Sequence, residues 1–132
     1  MNLDRNLKII DPRITPIANF ELTIKICELI VKCDKFKVVK KGANETTKCI
    51  INGTAEIVIL AADTEPLEII NHIPLSCETN KIPYIFLSSK IMLGRACGIS
   101  RSVISCVILN STLNHIRKEI FYIKNIISEI IV

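Results

Sequence analysis

The stretch Glu56-Ile57-Val58-Ile59-Leu60-Ala61 decides the fold of this chain. It is continuously apolar after its first residue and rich in β-branched side chains. A strand with one face in water alternates apolar and polar residues, whereas an unbroken run is typical of a strand covered on both faces. The apolar run ends at Ala62 and is far too short to cross a bilayer. The sequence therefore predicts a central strand with helices packed on both sides of its sheet.

Helical and strand patterns alternate on either side of this run. Residues 20–34 and the segment from Leu113 onward carry apolar residues at three- and four-residue steps, as amphipathic helices do. Ser89 and Gly98 predict the beginning and end of another helix. In chain order we predict helices at residues 20–34, 44–51, 66–71, 74–77 (restarted or kinked by Pro74), 90–97 and from about 113, and strands at 36–39, 56–61, 83–87 and 103–109. Residues 1–19 read as an extended lead-in and residues 20–132 as a single domain.

Charge is distributed unevenly along the 132 residues. The net charge is only +4, but residues 54–80 contain no Lys or Arg and five acids. The basic residues fall into two groups that a compact fold could gather on one face: Lys35, Lys37, Lys40, Lys41 and Lys48, then Lys81, Lys90, Arg95 and Arg101. The alternative is a scatter of solvated side chains.

Composition argues against several classes of protein. Six cysteines occur without a CxxC pair and only two histidines are present, so we expect reduced thiols and no metal site. No nucleophile motif, Walker motif or dinucleotide-binding glycine pattern occurs, so we expect neither catalysis nor a cofactor. The N-terminus lacks the apolar core of a signal peptide, which favours a soluble intracellular protein.

A second informative stretch is Lys40-Lys41-Gly42-Ala43-Asn44-Glu45-Thr46-Thr47-Lys48. A lysine pair leads into a glycine, and a helix opens with Asn44 and Glu45 in its first turn. Lys48 lies one turn above them, so one helix end presents an amide, a carboxylate and an ammonium group. Such a set can read base edges while cations hold the phosphate backbone. The alternative makes Asn44 an ordinary N-cap and Glu45 with Lys48 an exposed helix pair.

This stretch resembles the helix-start motif of the kink-turn RNA-binding family, which includes an archaeal large-subunit ribosomal protein. Two further blocks agree with the family: residues 59–70, Ile-Leu-Ala-Ala-Asp-Thr-Glu-Pro-Leu-Glu-Ile-Ile, and residues 93–101, Leu-Gly-Arg-Ala-Cys-Gly-Ile-Ser-Arg. The likeness extends from about Asp11 to Val132. Both blocks favour the eukaryotic branch whose member is shared by the spliceosomal U4/U6.U5 tri-snRNP and the box C/D snoRNPs.

The resemblance implies a three-layer α-β-α sandwich with a mixed four-stranded sheet. It also implies a ligand: the kink-turn, an RNA helix bent sharply at tandem sheared G·A pairs with one nucleotide turned outward. Asn44, Glu45 and Lys48 would contact the G·A guanines, Gly42 would let the backbone approach, and Lys41 would pair with phosphate. The pocket for the flipped-out base would be formed by Glu65, Ile69, Lys90, Ile99, Arg101 and Ile104. From the residues alone, Glu65 could merely favour a helix N-terminus, and Ile69 and Ile104 could be simple core.

The family likeness further implies a nuclear and nucleolar protein, monomeric in isolation and without a membrane partner. It would bind the U4 snRNA 5′ stem-loop and box C/D snoRNAs and recruit Nop-domain proteins. The alternatives are a ribosomal or H/ACA snoRNP relative, or a protein–protein scaffold of the same fold with weakened RNA binding. Two departures bear on this choice: Asn52 stands where the family has an arginine that touches RNA, and Ser102 where a proline is usual.

Overall fold

The computed structural model describes residues 14–111 and 114–131, which form one mixed sheet between two layers of helices. The sheet order is β1-β4-β2-β3; β3 runs parallel to β2, while β4 runs antiparallel to both β1 and β2. The predicted α-β-α sandwich is therefore confirmed. The elements are α1 (Phe20–Lys35), β1 (Val39–Lys41), α2 (Ala43–Asn52), β2 (Ala55–Ala61), α3 (His72–Thr79), β3 (Tyr84–Leu87), α4 (Lys90–Ala96), β4 (Ser105–Leu109) and α5 (Asn114–Ile131).

Strand β2 is covered on both faces, as its unbroken apolar run predicts. Ile57 and Ile59 face the layer formed by α1, α4 and α5, whereas Val58 and Leu60 face α2 and α3. All four side chains are fully buried. Each contributes about 1.5–3 kcal/mol through removal of its apolar surface from water. The sheet therefore has one hydrophobic core on each of its two faces.

The two long helices follow from their apolar stripes. Asn19 caps α1 by accepting a hydrogen bond from the Leu22 backbone N–H at 2.8 Å. The α5 stripe is buried at Ile116, Ile120, Ile123 and Ile127. These predicted helices are confirmed, as is the helix that opens after Ser89, whose hydroxyl accepts from the Met92 N–H at 3.1 Å. Leu113 lies outside the described residues.

The predicted strand at residues 36–39 is wrong. The Phe36, Lys37 and Val38 N–H groups bond back to the carbonyls of Cys33 and Asp34, so these residues complete the C-terminal turn of α1. Lys37 has a φ of +63°, which no strand accommodates. The strand begins only at Val39, where pairing with β4 starts.

The predicted helix at residues 66–71 is also wrong, because only a 3₁₀ turn forms at Leu67–Ile69. An α-helix follows at His72–Thr79, so the expected short turn to residue 77 is extended at both ends. Pro74 is the third residue of α3, where a backbone N–H has no partner within the helix, and it therefore neither breaks nor kinks it. The predicted strand at 103–109 is shorter by two residues, since β4 begins at Ser105.

Of the predicted lead-in, residues 1–13 lie outside the described residues. Residues 16–18 run alongside β3, where the Phe86 N–H donates to the Pro16 carbonyl and the Ala18 N–H to the Phe86 carbonyl, both at 2.9 Å. All six cysteines are free thiols, and all but Cys27 are buried. Every helix in the described part of the chain is too short or too polar to span a bilayer.

Candidate nucleic-acid interface

The candidate site begins at Gly42, the N-cap of α2. Its φ of 101° and ψ of 154° lie in a region open essentially to glycine. Its N–H donates to the Ser105 carbonyl at 2.8 Å, so the start of α2 is tied to the first residue of β4. No atom lies within 4 Å of where a Cβ would stand on Gly42. The backbone here is therefore open to close approach by another molecule.

Two threonines hold α2 in place on its inner side. The Thr46 hydroxyl, which is fully buried, donates to the Gly42 carbonyl at 2.8 Å and lies 3.1 Å from the Ser105 hydroxyl. The Thr47 hydroxyl donates to the Ala43 carbonyl at 2.9 Å and lies 3.1 Å from His72 Nε2. With this side fixed against β4 and α3, the opposite side of the first turn must face solvent.

The three predicted base-reading residues lie on that outer side. Asn44 and Lys48 are exposed and Glu45 is half-buried. The Lys48 ammonium lies 4.0 Å from the Glu45 carboxylate, an exposed contact worth at most about 1 kcal/mol. Both charges are therefore available to a ligand. The interpretation of Asn44 as an N-cap is wrong, because Gly42 occupies that position.

Lys41, the predicted phosphate contact, already has a partner within the protein. Its ammonium lies 3.2 Å from Asp34 Oδ1, and both side chains are about one-third exposed. A Cβ on Gly98 would stand 3.2 Å from the other Asp34 oxygen. Nearby, a hydrogen bond from Cys106 is the main cause of a lowered pKa at Cys97, whereas that hydrogen bond and burial raise the pKa of Cys106. A phosphate group must therefore compete with Asp34 for Lys41.

The second predicted group is assembled around the two ends of α4. Asp63 Oδ1 accepts the Lys90 N–H at 2.9 Å, and the Lys90 carbonyl accepts the Val103 N–H at 3.0 Å. A Cβ on Gly94 would overlap the Arg101 carbonyl, so α4 packs directly against the loop that carries Arg101. Lys90 and the 101–104 segment are thus neighbours, and Arg101 is exposed.

The remaining pocket residues differ in their surroundings. Ile104 is half-buried against the core beneath α2 and α3, and its carbonyl accepts the Ala61 N–H at 2.9 Å. Ile99 is half-buried against the other core, at the C-terminal end of α4. Ile69 is 45% exposed, so its interpretation as simple core is wrong. Glu65 is exposed and precedes the 3₁₀ turn rather than an α-helix.

Ser105 joins the two predicted groups. It follows Ile104 directly, while its backbone and hydroxyl contact Gly42 and Thr46 at the start of α2. The polar helix tip and the loop with Arg101 are therefore neighbours at one end of the sheet, where β4 begins. Lys81 does not join them, because it precedes β3 and so lies at the opposite end of the sheet. The expectation that the two basic groups share one face is wrong for Lys81, and also for Lys35 and Lys37, which precede the start of β1 at that same opposite end.

Four positioning residues were missed from the sequence: Asp34, Thr46, Asp63 and Ser105. Thr46 had a usable signal, since threonine four residues after a helix-opening glycine can bond back to its carbonyl. The others act on partners 7 to 59 residues away, which no local pattern reveals. The described residues contain no group of three or more His, Cys, Asp or Glu side chains suited to a metal ion.

Comparison with known proteins places this arrangement in a family. Residues 24–116 match the family described as Ribosomal protein L7Ae/L30e/S12e/Gadd45. The chain belongs to this family. Among family relatives, the 13 kDa ribonucleoprotein-associated protein of Candida albicans is 41% identical over 122 residues, covering 92% of this chain and 97% of its own. The NHP2-like protein 1 homolog of Dictyostelium discoideum is 47% identical over 110 residues, covering 83% and 85%.

A solved structure agrees with the L7Ae/L30e/S12e/Gadd45 assignment. The structure titled Giardia lamblia 15.5kD RNA binding protein superposes with a TM-score of 0.88 at 38% sequence identity. The match covers 92% of this chain and 99% of that one. These comparisons establish the family and the fold of this chain. One of the relatives is named as a ribonucleoprotein-associated protein and another as an RNA binding protein.

Proposed function

We propose that this protein is a non-catalytic RNA-binding protein that recognises a kink-turn through the α2 tip and the adjacent loop. The observation that carries the proposal is the junction at Ser105, which sets the outward-facing Asn44, Glu45 and Lys48 beside the loop with Arg101. One compact ligand can contact both groups. The names of its relatives, ribonucleoprotein-associated protein and RNA binding protein, support RNA as that ligand.

The chemistry of the tip suits purine edges exposed by a distorted RNA helix. Ordinary A-form RNA hides its base edges in a deep, narrow groove, so sequence reading requires a distortion such as a kink-turn. The ionised Glu45 carboxylate can only accept hydrogen bonds, so it requires a donor such as a guanine N–H group. Asn44 can both donate and accept, and Lys48 adds a mobile cation. The open backbone at Gly42 allows the RNA to come close.

The second group provides what a flipped-out base requires. Ile69, Ile99 and Ile104 are partly exposed apolar side chains that can contact the flat face of a base. Glu65, Lys90 and Arg101 supply polar partners for its edge and for the flanking phosphates. In this proposal, the backbone bonds from Lys90 to Asp63 and Val103 hold the pocket in shape before RNA arrives.

In the cell, we propose binding to the U4 snRNA 5′ stem-loop and to box C/D snoRNAs in the nucleus and nucleolus. The complexes would then nucleate the spliceosomal tri-snRNP and the box C/D snoRNP, which serve pre-mRNA splicing, rRNA processing and 2′-O-methylation. Ile51 on α2 and Leu75 on α3 are 73% and 67% exposed in the same layer as the RNA-reading tip. They support a composite protein–RNA surface for Nop-domain proteins.

A second candidate function is a protein–protein scaffold with weakened RNA affinity. Two observations favour it: Asp34 already pairs with Lys41, and the uncharged Asn52 stands at the family's arginine position. A ribosomal or H/ACA snoRNP role would be distinguished by the RNAs that co-purify with the protein.

Titration of the full chain with a short kink-turn RNA tests the proposal. The matched control RNA has the same length with its tandem G·A pairs replaced by Watson–Crick pairs. We expect the intact kink-turn to bind at least about tenfold more tightly, since each base contact contributes about 1–3 kcal/mol. Equal affinity for the two RNAs would contradict kink-turn recognition, and no binding to either would favour the scaffold.

A further inference from the structure

Helix α1 carries an apolar stripe on its solvent side, in the layer opposite the α2 tip. The stripe consists of Phe20, Ile24, Cys27 and Val31, spaced by four, three and four residues. It is separate from the buried face of the helix, which contains Leu22, Ile26, Leu29, Ile30 and Cys33. Phe20 is 79% exposed, and Ile24 and Val31 are also exposed. A helix that is apolar on two sides is expected to pack against two partners.

The α1 stripe forms most of a shallow, open apolar groove. Met92 of α4 also lines it, and the groove encloses about 470 Å³. The stripe extends over roughly 16 Å, three helical turns at about 1.5 Å per residue. The spacing is that of the a and d positions of a heptad, which a second helix matches when its apolar side chains repeat in the same way. Length, shape and spacing therefore fit one amphipathic helix.

The charged side chains beside the groove determine which charges a docked helix must present. Glu28 and Lys35 lie one heptad apart on the same edge, and neither forms an ion pair within the described part of the chain. Lys32, between them, is neutralised by Glu119 of α5. A complementary helix presents a basic residue to Glu28 and, one heptad away along the same edge, an acidic residue to Lys35.

A second copy of this chain fits less well. Packing two α1 stripes antiparallel about a two-fold axis places that axis between Ile24 and Cys27. About this axis Glu28 lies opposite residues 21–23 of the other copy, so it would approach Glu21 of that copy on the same edge. Like charges in such contacts are destabilising, and the unpaired carboxylates would face each other across the interface.

From these observations we infer that the groove between α1 and α4 docks an amphipathic helix of a partner protein. The helix has apolar a and d residues and an edge bearing a basic and an acidic residue one heptad apart. The groove belongs to the layer of α1, α4 and α5, whereas Asn44, Glu45 and Lys48 belong to the opposite layer. The inference therefore does not depend on the ligand of that tip.

A designed peptide tests the inference. The probe is a fluorescein-labelled 18-residue helix (about five turns) with leucine at a and d, one Lys and one Glu at the matching edge positions, and Ala and Gln elsewhere. We expect saturable binding to the full chain by fluorescence anisotropy. The double variant I24K/V31K should bind at least about tenfold more weakly, because both sites are exposed and the substitutions place charge in the apolar contact. The control F121K, at an exposed residue of α5 outside this groove, should bind as the wild type does.

A charge-swap arm separates the proposed docking from unspecific adsorption. The variant E28K/K35E should lose about fivefold in affinity for the first peptide and regain it for a peptide with its Lys and Glu interchanged. Circular dichroism of each variant checks that the fold is retained. Equal binding by wild type and I24K/V31K, or no preference between the two peptides, would overturn the inference. A dimer in sedimentation velocity that I24K/V31K abolishes would also overturn it, in favour of self-association.

Discussion

The α2 tip and the α1 stripe are two exposed helical surfaces of one small domain, and they are built in opposite ways. The α2 tip exposes Asn44, Glu45 and Lys48 while buried hydroxyls of Thr46 and Ser105 fix its inner side. The α1 stripe exposes apolar side chains on a helix whose other face is buried in the apolar core. A polar surface held by a preorganised network suits hydrogen-bonded recognition of an RNA. An apolar surface with heptad spacing suits a helix. The difference indicates that the α2 tip and the α1 stripe engage different classes of partner.

The largest effect should come from Glu45→Ala. If the α2 tip reads guanine edges, this change should weaken kink-turn binding by about 1–3 kcal/mol, roughly fivefold to 150-fold. Binding to a plain RNA duplex should change little, because the lost contact is to bases and not to phosphate. Filter binding with both RNAs measures the difference. Equal losses on the two RNAs would remove the base-reading role from the α2 tip.

Gly42→Ala should act on both stability and binding. A Cβ at this φ and ψ costs about 1–3 kcal/mol of unfolding free energy. It also fills the open space through which RNA would approach the backbone. Gly53→Ala is the matched control: it follows α2 at a φ of +78° and should lower stability but leave RNA affinity unchanged. Chemical denaturation and RNA titration of both variants make the comparison, and parallel losses of affinity would contradict a close approach at Gly42.

Thr46→Val tests how much the inner hydrogen-bond network stabilises the start of α2. The variant keeps the shape of the side chain but removes the hydroxyl that bonds Gly42 and faces Ser105. We expect a loss of about 1–3 kcal/mol in the free energy of unfolding, since buried polar groups lose their partner. The control Thr46→Ser retains the hydroxyl and its hydrogen bonds, so its free energy of unfolding should fall less. Urea denaturation of the pair gives the result; similar curves would show that the hydroxyl contributes little.

Lys41→Ala should weaken RNA binding less than Glu45→Ala does, because Lys41 already pairs with Asp34 and would contact only phosphate. The ion pair is partly exposed, so its loss should cost at most about 1 kcal/mol of stability. RNA affinity should fall on kink-turn and duplex RNA alike, and the slope of log K against log salt should decrease by about 1. Glu45→Ala should leave that slope nearly unchanged. A kink-turn-specific loss at Lys41 would show that it reads bases.

The I24K/V31K variant should have no effect on RNA binding, which makes it the sharpest test of separation between the two surfaces. Both residues are exposed, so the free energy of unfolding should change by no more than about 0.5 kcal/mol for each substitution. Isothermal titration with kink-turn RNA should return the wild-type affinity. A marked gain in affinity from the added lysines would place the α1 stripe near the bound RNA and show that the two surfaces are not separate.

Much of this fold was predictable because its main signals are local. The unbroken apolar run of β2, the stripes of α1 and α5, and the Ser89 cap each depend on neighbouring residues, and all are confirmed. The errors occur where pairing or turn chemistry overrides the pattern. The residues after α1 have strand-like composition but close its last turn, and residues 66–71 form a 3₁₀ turn that buries Ile70 and lets α3 bury Ile73.

The site was predictable in part, for a related reason. Asn44, Glu45 and Lys48 are one turn apart in sequence, so their common face follows from helical spacing. Their proximity to Arg101 depends on Ser105, which meets Thr46 across 59 residues. The engagement of Lys41 by Asp34 likewise depends on how α1 ends against β1. Such contacts arise only when the sheet has assembled, and residue patterns alone do not contain them.

The central claim, that one RNA contacts both groups joined at Ser105, is tested most directly by NMR titration of the isotope-labelled full chain with kink-turn RNA. The account predicts amide shift changes at Asn44, Glu45 and Lys48 together with Lys90 and residues 99–104, at the same RNA concentrations, while Phe20, Ile24 and Val31 stay unchanged. Changes confined to one of the two groups, or centred on the α1 stripe, would contradict it.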